Sequence, residues 1–253
     1  MRRIAAGMVL GLLGVGALAG CTAPGASTSS TPVATRSTSG AGTSASPSAT
    51  PSAAPSLSLT DPTSLWVVVN KTHPLNPKDY VPPDLVDVPV PHTNAPQLRK
   101  EASDAVVTMF DAAKRDGLDL ASNSAYRAYT YQVSIYDTDV NDMGKAAADK
   151  LTARPGYSEH QTGLAIDIGA ASGNCSLAAC FETTPEGRWL AAHAWQYGFL
   201  LRYPKGLTSI TGYDFEPWHY RYIGTDLAKR MHDSGVKTLE QEFGLGPAPD
   251  YPN

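Results

Sequence analysis

The chain lacks a basic patch: its 20 Lys and Arg are scattered among 24 Asp and Glu, and the formal net charge is −4. Without a cationic stripe to neutralise phosphates, nucleic-acid binding is disfavoured. A Gly-rich phosphate loop and a regular βαβ rhythm are also missing, which leaves an α+β domain with a small, mostly antiparallel sheet flanked by helices as the expected fold class. No apolar run reaches the ~20 residues that a permanent transmembrane helix needs. Cysteine is scarce, with three residues in 253. No second Cys or His pair flanks Cys175 and Cys180, so a thiolate metal site is disfavoured there.

What is present begins with an export signal. Residues 1–21 read MRRIAAGMVLGLLGVGALAGC. Arg2 and Arg3 form a basic n-region, Ile4 to Ala19 is uncharged and mostly apolar, and small residues follow, the layout of a secretory signal. Leu18-Ala19-Gly20-Cys21 resembles a bacterial lipobox, which implies cleavage before Cys21 and lipidation of that residue; plain secretion is the alternative. Two or more acyl tails suffice for stable anchoring, so the expected location is extracytoplasmic, lipid-anchored to the outer face of the cell membrane. In residues 22–58 only Val33, Arg36 and Leu57 fall outside Ser, Thr, Pro, Ala and Gly. Such a segment buries too little apolar surface to offset its chain entropy, and a coil of that length has a root-mean-square reach of about 35 Å. A tether is expected there, followed by one domain over residues 59–253. With Cys21 lipidated, Cys175 and Cys180 remain as a pair, and oxidising surroundings favour a short local disulfide, worth roughly 2 kcal/mol.

Within the domain, Leu65 to Val69 reads as a short buried strand, and the proline-rich stretch after it as irregular. Leu98, Ala102, Ala105, Val106, Met109 and Ala113 recur at helical spacing, with Gly117 as a stop. A strand over "LDLASNS" leads to a polar turn. Helices are predicted over Tyr129 to Asp139 and Met143 to Ala153, broken near Asn141 and Gly144. Thr184-Pro185-Glu186 is a helix start, with Pro at the first helical position, and that helix runs to Tyr197. "FLLRYP" and "EPWHYRYIG" read as strands, and two helices close the chain over Ile223 to Asp233 and Thr238 to Phe243.

The stretch "RPGYSEHQTGLAIDIG" places His160 seven residues before Asp167. From Gly163 to Ile168 the residues alternate, with Leu164, Ile166 and Ile168 on one face and Gly163, Ala165 and Asp167 on the other. His160 and Asp167 make half of a metal site and need a partner. His73 and His92 fall in proline-rich loops, and His193 and His232 fall on helices as surface or packing residues. His219 differs: it lies in "DFEPWHYRY", three residues after Glu216. Two imidazoles and a carboxylate suit Zn2+ with a fourth position for water, and Glu216 beside them suits proton transfer. In a flat strand Glu216 and His219 would face opposite ways; Pro217 predicts a bend that brings both to one cleft. Arg127, among Tyr126, Tyr129 and Tyr131 and just after a strand end, suits bidentate recognition of a carboxylate. Trp218 is either a wall of the cleft or a core residue.

Three blocks together resemble the VanY-type D-alanyl-D-alanine carboxypeptidases, within the group of zinc peptidases that includes lysostaphin-like enzymes and the hedgehog signalling domain. They are "SAYRAYTYQ", "PGYSEHQTGLAIDI" and "EPWHYRYIG", and the resemblance extends over about Leu65 to Gly224. It implies a hedgehog/D-Ala-D-Ala-peptidase-like fold, zinc ligands His160, Asp167 and His219, Glu216 as catalytic base, and Arg127 at the oxyanion or substrate carboxylate. It also implies that Ser158 and Gln132 orient the peptide. Ala125 and Ala128 stand where glycine and serine are common, which bears on substrate fit alone. The expected activity is removal of the C-terminal D-Ala from peptidoglycan stem peptides by a chain acting as a monomer. The same residues would serve an L,D-carboxypeptidase or an endopeptidase. A zinc-stabilised wall-binding module would not need Glu216, and an iron oxygenase triad would space its acid two residues from the first His rather than seven.

Overall fold

The structure, a computed structural model, describes residues 58–252. The signal segment, Cys21 and nearly all of the expected tether lie outside the described residues. Leu65 to Val69 is buried at Val67, Val68 and Val69 but is not a strand. The β-branched residues find their apolar surroundings, while the backbone is used otherwise: the carbonyls of Leu65 and Val67 accept from Arg221 Nη2 at 3.0 and 2.8 Å. A guanidinium takes the bonds that a neighbouring strand would have made.

A two-stranded antiparallel ribbon, β1 (Leu85–Asp87) and β2 (Gln97–Arg99), precedes helix α1 (Lys100–Arg115). Then follow β3 (Leu120–Ser124), α2 (Tyr129–Met143) and α3 (Lys145–Leu151). The break between the two helices falls at Gly144, whose φ of 80° suits glycine. Next come a 3₁₀ turn at Glu159–Thr162, strand β4 (Ala165–Ala170) and a second 3₁₀ turn at Ala179–Thr183. Helix α4 (Pro185–His193) continues as a 3₁₀ turn through Tyr197. Strand β5 (Phe199–Leu201), short helix α5 (Thr208–Thr211), strand β6 (His219–Tyr222), and helices α6 (Thr225–Ser234) and α7 (Leu239–Glu242) complete the order. The principal sheet runs β3-β4-β6-β5 with every neighbour antiparallel. The fold is α+β.

The alternation in β4 decides what each face of this sheet does. Leu164, Ile166 and Ile168 pack into the main core with Ala102, Val106 and Met109 of α1 and Leu190 of α4. Complete burial of each such aliphatic side chain contributes roughly 1.5–3 kcal/mol. Helix α4 starts as its sequence requires: Thr184 Oγ1 accepts from Gly187 N at 3.0 Å, with Pro185 at the first helical position. A second core cluster packs Leu227, Ala228 and Met231 of α6 against Val68, Ile223 and Leu239.

Behind the opposite face lies a buried ionic network. Arg202 and Arg221 are completely buried. Arg202 donates through Nε to Glu159 Oε1 at 2.9 Å, and through Nη1 and Nη2 to Glu240 at 3.0 and 2.7 Å. Arg221 Nη1 donates to the same Glu159 oxygen at 2.9 Å. Asn70 Nδ2 donates to Glu240 Oε1 at 2.9 Å, which ties the opening segment to α7. Buried charges persist when paired and hydrogen-bonded, and here two acids answer two guanidinium groups.

Candidate metal centre and cleft

The turn before β4 is set locally. Thr162 Oγ1 donates to Glu159 O at 2.6 Å and accepts from Leu164 N at 3.1 Å, closing the 3₁₀ turn. Gly163 then takes a left-handed conformation (φ 67°), and a Cβ there would meet Leu85 Cδ2 at 2.9 Å. The turn presents His160 and the strand presents Asp167 to the same side. Asp167 pairs in register with His219 at the start of β6. Glu216 precedes that strand in a turn closed by His219 N donating to Glu216 O at 3.2 Å, so "EPW" is not part of the strand. This is the bend expected at Pro217, and Glu216 Oε2 lies 3.5 Å from His219 Nδ1.

Among the described residues, His160, Asp167 and His219 form the one group of three or more His, Cys, Asp or Glu suited to a metal ion; they are buried, with one ligand atom from each within 4.8 Å of the others. His160 Nε2 is 3.3 Å from Asp167 Oδ2, and His219 Nδ1 is 3.3 Å from Asp167 Oδ1. Ligands at about 2.0–2.2 Å around a tetrahedral ion stand roughly 3.3–3.5 Å apart, so these separations fit. His160 Nδ1 lies 2.7 Å from Ala125 O; it must donate to that carbonyl, which leaves the Nε2 lone pair facing the centre. Asp167 Oδ1 is buried and has no hydrogen-bond partner among the described residues. Two imidazole nitrogens and a carboxylate oxygen with a lone pair to spare are a donor set suited to a divalent cation.

The electrostatics separate the two acids. Burial pushes Asp167 up, but His160, His219 and Arg127 outweigh it and hold the carboxyl well below its usual range. Burial pushes Glu216 up to about 8; His219 opposes the rise and Asp167 adds to it. An ionised carboxylate and a carboxyl held near neutrality thus stand side by side. Burial, with Arg127 alongside, holds His160 down at about 4. Burial also opposes protonation of His219, but the neighbouring Asp167 and Glu159 carboxylates raise it to about 9.

Arg127 follows β3. Its Nε donates to Ser124 Oγ at 2.9 Å, and its Nη2 reaches His160 Nε2 at 2.7 Å and Asp167 Oδ2 at 2.9 Å. Ser158, Trp218, Tyr203 and Tyr213 line the cleft with these groups, and Leu151 and Leu177 stand at it with 48% exposure each. Trp218 also packs against the main core, so it takes both of its expected places. Gln132 is not among the lining residues. It is fully buried, and its Nε2 donates to Ala153 O at 2.8 Å, supporting a residue that does line the cleft. Cys175 and Cys180 form a disulfide with Cα atoms 5.6 Å apart, in the loop that carries Leu177. The remaining histidines are elsewhere: His73 and His92 bond within their loops, His193 lies beside Trp189, and His232 stacks on Trp195.

Sequence reasoning missed Glu159 and Tyr203. The Tyr203 ring centroid lies 4.7 Å from that of His219, and Glu159 Oε2 lies 3.6 Å from His219 Nε2. Glu159 is the residue before His160, a signal that was available; nothing local marks Tyr203.

A family model for VanY, described as D-alanyl-D-alanine carboxypeptidase, matches residues 95–225. YodJ, a protein of Bacillus subtilis (strain 168) whose carboxypeptidase name is itself provisional, is 44% identical over 191 residues, covering 74% of this chain and 69% of YodJ. A D-alanyl-D-alanine carboxypeptidase of Enterococcus faecalis (strain ATCC 700802 / V583) is 33% identical over 180 residues, covering 67% of this chain and 62% of the enterococcal protein. Among solved structures, the LdcB LD-carboxypeptidase superposes with a TM-score of 0.68 at 44% identity, covering 72% of this chain and 87% of that one. A vancomycin-resistance D,D-pentapeptidase VanY variant, solved in complex with Zn(II), superposes with a TM-score of 0.59 at 34% identity, covering 70% and 97%. The matched region holds the cleft from Arg127 to His219, and on these similarities the chain belongs to the VanY family of D-alanyl-D-alanine carboxypeptidases.

Proposed function

We propose that the chain is a zinc-dependent carboxypeptidase that releases the terminal D-alanine of peptidoglycan stem peptides, acting on the D-Ala-D-Ala bond. The observation that carries this reading is the convergence of His160, Asp167 and His219 with Glu216 Oε2 3.5 Å from His219 Nδ1. The zinc found in the related D,D-pentapeptidase structure supports the choice of metal. Held by His160 Nε2, Asp167 and His219 Nδ1, zinc would supply Lewis acidity toward the scissile carbonyl and make water a better nucleophile. Glu216 takes a proton from the attacking water and delivers it to the departing amine of D-alanine. Were His160 Nε2 and Asp167 to hold the metal, Arg127 Nη2 would lose the partners it has here and would be free to turn toward the cleft. There it meets the substrate's terminal carboxylate or the developing oxyanion. Ser158 and Trp218 contact the peptide along the wall, and Gln132 supports Ala153 from behind.

The test is product identification on defined stem peptides with zinc-loaded protein. Free D-alanine from a pentapeptide ending in D-Ala-D-Ala is the expected result; metal-dependent binding without turnover would instead make the domain a wall-binding module. A second reading is favoured by a specific finding: the superposed LD-carboxypeptidase is 44% identical, against 34% for the D,D-pentapeptidase. Release of D-alanine from a tetrapeptide, with the pentapeptide untouched, would establish that reading, and internal cleavage products would indicate an endopeptidase.

Location belongs to the same proposal. A signal segment, Cys21 as lipid anchor and the Ser/Thr/Pro/Ala/Gly-rich tether would hold the catalytic domain outside the membrane within reach of the wall. Membrane fractionation tests it: Cys21→Ser should move the protein from the membrane to the soluble extracytoplasmic fraction, and an unchanged distribution would remove Cys21 as the anchor.

A further inference from the structure

We propose that Glu159 is a positioning residue for the metal centre: its Oε2 accepts the Nε2–H of His219, keeping the proton off His219 Nδ1 and that lone pair on the cation. The proposal rests on the zinc reading above.

Glu159 Oε1 is taken by two guanidinium donors, Arg202 Nε and Arg221 Nη1, each at 2.9 Å. Its other oxygen, Oε2, is buried and bonded to nothing among the described residues, and His219 Nε2 is likewise buried and unbonded. These two orphans face each other at 3.6 Å. Leaving either group unsatisfied costs about 1–3 kcal/mol, so a movement of roughly half an ångström that closes the gap to ordinary hydrogen-bond length is favoured. The opposite ring nitrogen, Nδ1, lies 3.3 Å from Asp167 Oδ1 and 3.5 Å from Glu216 Oε2, on the side of the metal centre.

A neutral imidazole carries one proton. If it sat on Nδ1, His219 would present N–H to the cation and could not coordinate it. An ionised carboxylate is acceptor-only, so Glu159 behind Nε2 selects the tautomer in which Nδ1 is free. Two arginines, Arg221 in β6 and Arg202 just after β5, fix that carboxylate, and Glu240 fixes Arg202 in turn. His160 is oriented the same way by Ala125 O, but through the other nitrogen. The two ligand histidines thus coordinate through opposite ring atoms, each held from behind by an acceptor. Residues 159 and 160 serve the two different imidazoles, so one 3₁₀ turn supplies a ligand and the orienting group of its partner.

Glu159→Gln discriminates this role from a structural one. The amide oxygen can still accept from Arg202 and Arg221, while the NH₂ now points at His219 Nε2 and makes it an acceptor, which drives the proton to Nδ1. Zinc affinity, read by competition with a chromophoric chelator, is expected to weaken about 10–100-fold. The control is Glu240→Gln, which disturbs the same arginine away from His219; its zinc affinity should stay within about threefold of the parent, whatever its thermal stability. Equal zinc affinity in Glu159→Gln and parent, or equal losses in both variants, overturns the proposal. A measurement that needs no variant is ¹⁵N NMR of the zinc-loaded parent protein. His219 is expected to carry its proton on Nε2, and a proton on Nδ1 overturns the proposal even if Glu159→Gln fails to fold. A parent chain that binds no zinc removes the zinc reading itself, whereas a parent that binds zinc with an indifferent Glu159→Gln removes only the positioning role.

Discussion

Asp167 and His219 are register partners across β4 and β6, and Asp167 Oδ1 lies 3.3 Å from His219 Nδ1. Two of the three proposed ligands are therefore aligned by main-chain bonding before any ion arrives. Zinc binding should stabilise the fold by mass action, about 2.7 kcal/mol when free zinc is 100 times its Kd, or roughly 5–10 °C in Tm for a domain of this size. Calorimetry with and without zinc measures it, and Asp167→Ala should abolish the increment. An equal increment in that variant would place the binding elsewhere.

Chelation should remove the carboxypeptidase activity and zinc should restore it. Glu216→Ala should separate binding from chemistry. The variant should retain zinc in metal analysis while kcat falls about 10²–10⁴-fold, the usual contribution of a positioned proton-transfer group. Normal turnover would mean that another group handles the proton.

Leu177 stands half-exposed at the cleft with a left-handed backbone (φ 49°), in the loop closed by Cys175 and Cys180. A leucine partly covered by a bound peptide contributes about 1 kcal/mol, so Leu177→Ala should raise KM about fivefold and leave kcat within a factor of two. A fall in kcat with KM unchanged would contradict a pure binding role.

Burial pushes the Glu240 carboxyl up, but Arg202 and Asn70 more than offset it and hold the folded value below the usual glutamate range. A depressed carboxyl contributes stability that is complete above the unfolded pKa of about 4.3 and is lost as the pH falls through the lower folded value. Tm should therefore drop as the pH falls below about 4.3, and Glu240→Gln should flatten that drop while lowering Tm at neutral pH. Removing one partner of a buried pair costs about 3–5 kcal/mol. An unaltered acid profile in the variant would show that Glu240 does not carry the linkage.

Much of the centre was legible because its chemistry is written in consecutive residues. Thr162 and Gly163 encode a turn, alternation in β4 sends Asp167 away from Ile166 and Ile168, and Pro217 encodes the bend that admits Glu216. Where distant side chains govern the backbone, the sequence misleads. Leu65 to Val69 has the letters of a strand, yet Arg221 takes its carbonyls from far along the chain. Ala125 offers no reactive side chain, and its contribution to His160 is a main-chain carbonyl that no residue type can signal. Glu159 stood in plain view beside His160, but its significance depends on Arg202 and Arg221, two guanidinium groups that composition would place at the surface.

The segment around Tyr251 is moored to the rim of the cleft. Tyr251 Oη accepts from Arg154 N at 2.8 Å, the Arg154 guanidinium lies 3.9 Å from the Tyr251 ring centroid, and Tyr157 meets the same ring edge-on at 5.0 Å. Arg154 and Tyr157 flank the strand of sequence between Ala153 and Ser158, both of which line the cleft. The segment thus braces the Ala153–Ser158 stretch of the cleft rim from behind, so the position of that rim is held by an aromatic contact distant from His160, Asp167 and His219.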